Sequence, residues 1–183
     1  LHQASHSFPT RRSSDLLSNR VMTLLQKFTP HVEVYSIDEA FLNFDGMAIV
    51  DYNDYGLQIK RSIQKWLSLP VCIGFAPTKG LSKVANKIAK KYQERTKGIY
   101  VIDTEEKRIK ALKWTKIEDV WGIGFRLTKK MQAKNILTAY DFTLPHNESF
   151  IQKEMGVVGL RLKYELEGKS VLEMEEPKDK KNI

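Results

Sequence analysis

Apolar residues recur along this chain at two spacings, and the switches between them lay out its elements. Leu17, Val21, Leu24, Leu25 and Phe28 fall on one face of a helix over residues 17–28, which Pro30 closes. Residues 32–35 and 40–44 are rich in β-formers and read as two strands. Gly46 and the polar run 51–54 mark a loop, where an aspartate cap starts the next helix. That helix runs to about residue 69, with Tyr55, Ile59, Ile63 and Trp66 as its buried stripe and Lys60, Arg61 and Lys65 off it; Pro70 stops it. Residues 71–75 are a short continuous apolar run, hence a fully buried strand, in which Gly74 permits close backbone approach. Pro77-Thr78 open a helix through about residue 92, with Leu81, Val84, Ala85, Ile88 and Ala89 inward and Lys83, Lys87, Lys90 and Lys91 on the opposite side. Residues 98–102 form a further strand.

From about residue 103 the period is helical throughout. Helices are expected over 105–112, 125–133, 138–142, 149–155 and 157–167, with a short turn at 117–120. The pattern predicts an α+β unit over 17–103, a small all-α unit over 104–172, and a charged linker over 173–183 that contains Pro177. With one additional strand at its start, the first unit builds an antiparallel sheet covered by two helices on one face. Residues 1–16 are set aside: Ser7-Phe8-Pro9-Thr10-Arg11-Arg12-Ser13-Ser14-Asp15-Leu16 reads like a translated sequencing-adapter oligonucleotide, with a disordered basic arm as the other reading.

Charge narrows the partners. The 183 residues carry a formal net charge of +8, which favours a polyanion, nucleic acid before membrane. No apolar run approaches the roughly 20 residues of a membrane helix. The single cysteine, Cys72, lies between Val71 and Ile73 as a buried strand residue and fits a reducing, cytoplasmic setting. Four histidines without common spacing, and no Cys-x-x-Cys, argue against zinc.

The chemistry concentrates at Asp38-Glu39, between the two first strands. Neighbouring side chains on a regular strand point to opposite faces, so two adjacent acids converge only at a turn or bulge. A β-hairpin with both acids at or beside its turn is therefore expected; solvated acids on an edge hairpin are the plainer reading.

The flanking residues decide between these. Tyr35-Ser36-Ile37-Asp38-Glu39-Ala40-Phe41-Leu42, Gly74-Phe75-Ala76-Pro77-Thr78-Lys79 and Val120-Trp121-Gly122-Ile123-Gly124 strongly resemble the motifs of Y-family, translesion DNA polymerases, in the flavour of the UmuC branch. The likeness covers nearly everything from Leu17 onward. It implies a partial ferredoxin-like polymerase palm followed by a helix-hairpin-helix thumb. It also implies template-directed nucleotidyl transfer in DNA repair and SOS mutagenesis, with two Mg²⁺ ions as cofactors. Asp38 would bridge both ions and Glu39 would hold the ion at the primer terminus. Ser36 reads as turn chemistry.

Lys83, and Lys79 before it, are the residues expected to meet the phosphates of an incoming deoxynucleoside triphosphate at a helix start. Lys87, Lys90 and Lys91 continue that surface toward DNA. In the thumb, Gly122, Ile123 and Gly124, with Arg126, Lys129 and Lys130, are expected to touch the backbone of primer-template DNA without reading its sequence. UmuD-type and RecA-type partners follow from the resemblance alone. The family's further aspartate on a first strand, its fingers and its last DNA-gripping domain have no counterpart here, so the chain by itself is expected to be inactive. The alternatives are a non-catalytic DNA-binding module and a metal-dependent nuclease.

Overall fold

The computed structural model describes residues 2–5 and 11–175, with side chains from Asp15 onward. Its elements are β1 (His2–Ser5), α1 (Arg11–Leu25), β2 (His31–Ser36), β3 (Glu39–Asn43), α2 (Tyr52–Leu67), β4 (Cys72–Phe75), α3 (Lys79–Lys91), α4 (Gln93–Thr96), β5 (Ile99–Val101), α5 (Glu105–Trp114), α6 (Phe125–Ala133), α7 (Ala139–Thr143) and α8 (Glu148–Leu166). Short 3-10 turns lie at Ile117–Asp119 and Pro145–Asn147.

One mixed sheet runs in the order β2-β3-β1-β4-β5. The first three pairings are antiparallel, and β4 with β5 is parallel. The expectation of a purely antiparallel sheet is corrected at that last pair. α3 and α4 carry the chain back across the sheet, and a helical crossover returns the next strand in the same direction. Residues 2–5 and 11–16, set aside on sequence grounds, have places in the fold as β1 and the start of α1. Residues 1 and 6–10 of that segment lie outside the described residues, as do residues 176–183 of the expected linker. β1 pairs Ser5 with Glu39 on one side and with Cys72 on the other. Backbone pairing asks only for extended chain between two open strand edges, so a segment without an apolar pattern can fill that place.

The two faces of the sheet differ. α1 and α2 bury Val21, Leu24, Leu25, Ile59 and Ile63 against Ala40, Leu42, Ile73, Phe75 and Val101. α3 lies on the other face, and Gly74 makes this possible. A Cβ there would sit 2.2 Å from the Asn86 backbone nitrogen and 2.5 Å from the Ser82 carbonyl oxygen. α3 thus meets the sheet backbone to backbone, as the glycine predicted. Its far side, with Leu81, Val84 and Ile88, joins the core of the helical unit around Leu112, Met131, Phe142 and Leu166.

Local chemistry fixes the ends of these helices. Asp51 caps α2 by accepting from the Asn53 and Asp54 N–H groups, and Thr78 caps α3 by accepting from Leu81 N–H. Gly156, at φ 63° and ψ −148°, breaks α8 into two halves, as the expected helices 149–155 and 157–167 require. Trp66 departs from expectation: it continues the α2 stripe but is 69% exposed. The buried spacing runs through Ile59 and Ile63 to Leu67, which packs on the same core, and Trp66 falls beside that line. Cys72 is buried as expected, and burial pushes its thiol upward against the opposing influence of Lys60 and Lys90.

Candidate functional site

β2 and β3 form a hairpin closed by a two-residue turn, Ile37-Asp38, with Ser36 opposite Glu39. The register slips between Val34 and Ser36, so Tyr35 is the extra residue of a bulge. Both the turn and the bulge required by two adjacent acids are present. Asp38 sits in the turn, where its Oδ1 accepts a 2.7 Å hydrogen bond from Ser36 Oγ. Glu39 opens β3, and its Oε2 lies 2.8 Å from Lys83 Nζ. The acids are neighbours at one hairpin tip, each with its own partner. Among the described residues, no group of three His, Cys, Asp or Glu side chains is placed to hold a metal ion. The strand beside Glu39 carries His2, Gln3, Ala4 and Ser5, and so no acid.

Lys83 is held on three sides. Besides Glu39, its ammonium lies 4.7 Å from the centre of the Tyr35 ring and 5.8 Å from that of Trp121. Trp121 comes from the loop between α5 and α6, and its Nε1–H donates to Tyr35 Oη at 2.9 Å. Neither aromatic was singled out as a site residue from sequence. Their partnership joins positions 86 residues apart, and no local pattern shows that.

Lys79 is placed differently from Lys83. It is 3% exposed, ion-paired with Glu33, and donates to the Glu173 carbonyl at 2.7 Å. Its ammonium rests over Phe41, away from the acid tip. The start of α3 is also occupied. Glu165, fully buried, accepts from Gly80 N–H through one carboxylate oxygen and from Val171 and Leu172 N–H through the other. A side-chain carboxylate thus fills the helix terminus that the sequence offered to a phosphate. The structure brings Lys83 to Glu39 and leaves Lys79 beneath the segment after α8.

Further along α3, Lys87 is ion-paired with Asp119, Lys90 is exposed, and Lys91 lies over the Trp114 ring. A crevice of about 270 Å³ runs between this face and the Asp119–Trp121 loop, lined by Glu39, Lys83, Lys87 and Lys90 among others. At the second hairpin, Gly122 has φ +84° and Gly124 precedes α6 with no side-chain cap. Ile123 is buried and its N–H donates to the Val120 carbonyl at 3.0 Å, while Gly122, Gly124, Arg126 and Lys129 are exposed. Lys130 is ion-paired with Glu154, whose carboxyl that hydrogen bond holds below its usual range.

A family model described as the impB/mucB/samB family matches residues 9–87. The protein UmuC of Salmonella typhimurium strain LT2 is 41% identical over 161 residues, covering 87% of this chain and 38% of that protein. The chain is similar to the Y family, in its UmuC-like branch. Two solved structures extend the Y-family likeness to three dimensions. The insertion ternary complex of Dbh DNA polymerase matches with a TM-score of 0.72 at 28% identity, over 91% of this chain and 48% of that one. A Y-family DNA polymerase chimera of Dbh and Dpo4 matches with a TM-score of 0.73 at 27% identity, over 91% and 48%. The chain spans less than half the length of each. The likeness embraces both the sheet unit with its acid hairpin and the helical unit with its glycine hairpin.

Proposed function

We propose that this chain is the palm and thumb portion of a translesion DNA polymerase, with residues 17–103 as partial palm, 104–172 as thumb and 173–183 as linker. The observation that carries the reading is the bulged hairpin, which sets Asp38 and Glu39 at one tip with Lys83 against Glu39. Asp38 and Glu39 would hold Mg²⁺, whose usual complement is one or two carboxylates plus phosphate oxygens and water. When bound, such ions stabilise the attacking and leaving oxygens of phosphoryl transfer.

The remaining steps belong to side chains of this chain. Lys83 would leave its carboxylate partner to meet a triphosphate. The exposed Gly122 and Gly124, with Arg126 and Lys129, would grip the backbone of a primer-template duplex. Lys87, Lys90 and Lys91 would continue a basic path between the two. Two carboxylates without a third among the described residues fall short of a full two-ion set, so the chain alone is expected to bind duplex DNA without extending it. Among the described residues no helix is long and apolar enough to cross a membrane. A DNA-acting role fits a cytoplasmic setting.

The test is a primer-template duplex titrated with this chain across a salt series, with Mg²⁺ and all four deoxynucleoside triphosphates in a parallel reaction. Binding that weakens steeply with salt, with neither extension nor degradation, is expected. Degradation without added nucleotides indicates a nuclease, and salt-insensitive or absent binding removes the DNA-gripping role.

A further inference from the structure

The feature the proposed function leaves unused is the aromatic surround of Lys83. Tyr35 and Phe41 stand on the acid hairpin, and Trp121 reaches them from the helical unit. The Trp121 ring centre is 5.6 Å from that of Tyr35, nearly perpendicular at 86°, and 5.7 Å from that of Phe41. The indole N–H on Tyr35 Oη fixes the two rings against each other. In that arrangement both lie within cation–π range of the same ammonium.

We propose that Trp121, acting through Tyr35, is a positioning residue for Lys83. It holds the ammonium at the acid tip, poised for a polyphosphate, and so ties the thumb hairpin to the nucleotide-phosphate contact. This rests on the reading of Lys83 as that contact. A lysine side chain is a flexible four-carbon stem and carries no preferred position of its own. Glu39 alone is a poor fixed partner, because the proposed function needs its carboxylate for metal. The two ring faces supply a hold that survives the loss of that ion pair. Trp121 is itself fixed from both sides: Val120 before it is buried, and Gly122 after it takes φ +84°, a reversal that suits glycine. A shift of the Gly122–Gly124 hairpin therefore moves the indole, and with it the second wall around Lys83.

The experiment measures binding of inorganic tripolyphosphate, without metal, at low salt, to the wild type and to Lys83→Gln, Trp121→Leu, Trp121→Phe, Tyr35→Leu and the double variant Lys83→Gln/Trp121→Leu. Circular dichroism confirms that each is folded. Lys83→Gln should lose most of the binding. Trp121→Leu and Tyr35→Leu should each weaken it by about two- to tenfold, the worth of one cation–π face. Trp121→Phe, which keeps a ring face, should recover most of the loss. In the Lys83→Gln background Trp121→Leu should cost nothing further, which a merely structural role would not give.

If Trp121→Leu does not fold, the Trp121→Phe and Tyr35→Leu comparison carries the same test. Lys83-dependent binding that neither aromatic variant alters overturns the positioning role and leaves the reading of Lys83 standing. Binding indifferent to Lys83→Gln overturns both.

Discussion

Lys83 Nζ and Glu39 Oε2 lie 2.8 Å apart across 44 residues of chain, one on α3 and the other at the mouth of the acid hairpin. The contact depends on two local features. The Tyr35 bulge brings Glu39 to the tip, and Gly74 lets α3 lie against the sheet. Both are backbone features, and the second can be tested by a single substitution.

Gly74→Ala should prevent α3 from seating. The new Cβ would lie 2.2 Å from a backbone nitrogen, and neither strand nor helix can yield without parting. A loss of at least about 3 kcal/mol is expected, read as a fall in the urea midpoint or as failure to fold. Gly124→Ala is the matched control. Its Cβ meets nothing within 4 Å and its φ is −86°, so stability should change by less than about 1 kcal/mol. Equal effects at the two positions would refute the close packing assigned to Gly74.

Glu165→Ala should be among the most costly substitutions in the helical unit. It strands three N–H groups, those of Gly80, Val171 and Leu172, which its carboxylate now satisfies. Unmet donors of this kind cost about 1–3 kcal/mol each when they stay buried. A loss of about 3 kcal/mol is expected, together with faster amide exchange at Val171 and Leu172. Unchanged exchange at both would show that something else holds the segment after α8.

The ion cluster on α8 sets a pH dependence. Burial draws the Lys163 pKa down, but its contacts with Glu167 and Glu148 outweigh that and leave it raised. Burial pushes Glu167 up, but Lys163 and Lys169 outweigh that and leave it lowered. The contribution of Glu167 is therefore complete above the ordinary carboxylate range and is lost as pH falls through its depressed pKa. The contribution of Lys163 is complete below the ordinary lysine value and is lost as pH rises through its elevated one. Comparing the wild type with Glu167→Gln in urea, the stability gap should be flat near neutrality and close below about pH 4. A gap that widens in acid contradicts the sign.

Arg126→Gln and Lys129→Gln should weaken binding of any DNA duplex to similar degrees whatever its sequence. Each should reduce the slope of log affinity against log salt by about 1. A change in sequence preference with an unaltered slope would mean that these residues read bases and do not touch phosphates.

Much of this was legible in the chain itself, for reasons that particular residues make plain. The helical stripes through Ile59 and Ile63 and through Leu81, Val84 and Ile88 are local, and so is the alternation that forces a turn at Asp38. Gly74 announced a close approach before its partner was known. What could not be read is what depends on distant chain. Lys79 and Lys83 are one turn apart and look equivalent, yet Glu33 and the segment after α8 claim the first and Glu39 the second. Nothing local to Glu165 shows that the start of α3 and the segment after α8 meet its carboxylate. β1 has no apolar pattern at all, because its place is defined by the two open edges it joins. Trp66 shows a further limit: at its position the spacing allows either Trp66 or Leu67 on the stripe, and only the packed structure shows that Leu67 is taken.

The central claim is that Asp38 and Glu39 form one cation-binding tip. Mn²⁺, titrated into the isotopically labelled chain, tests it most directly through paramagnetic broadening of backbone amide signals. Broadening centred on residues 36–41, abolished by Asp38→Asn with the fold intact, is the predicted result. Broadening spread over other surface acids, or left unchanged by Asp38→Asn, would contradict it.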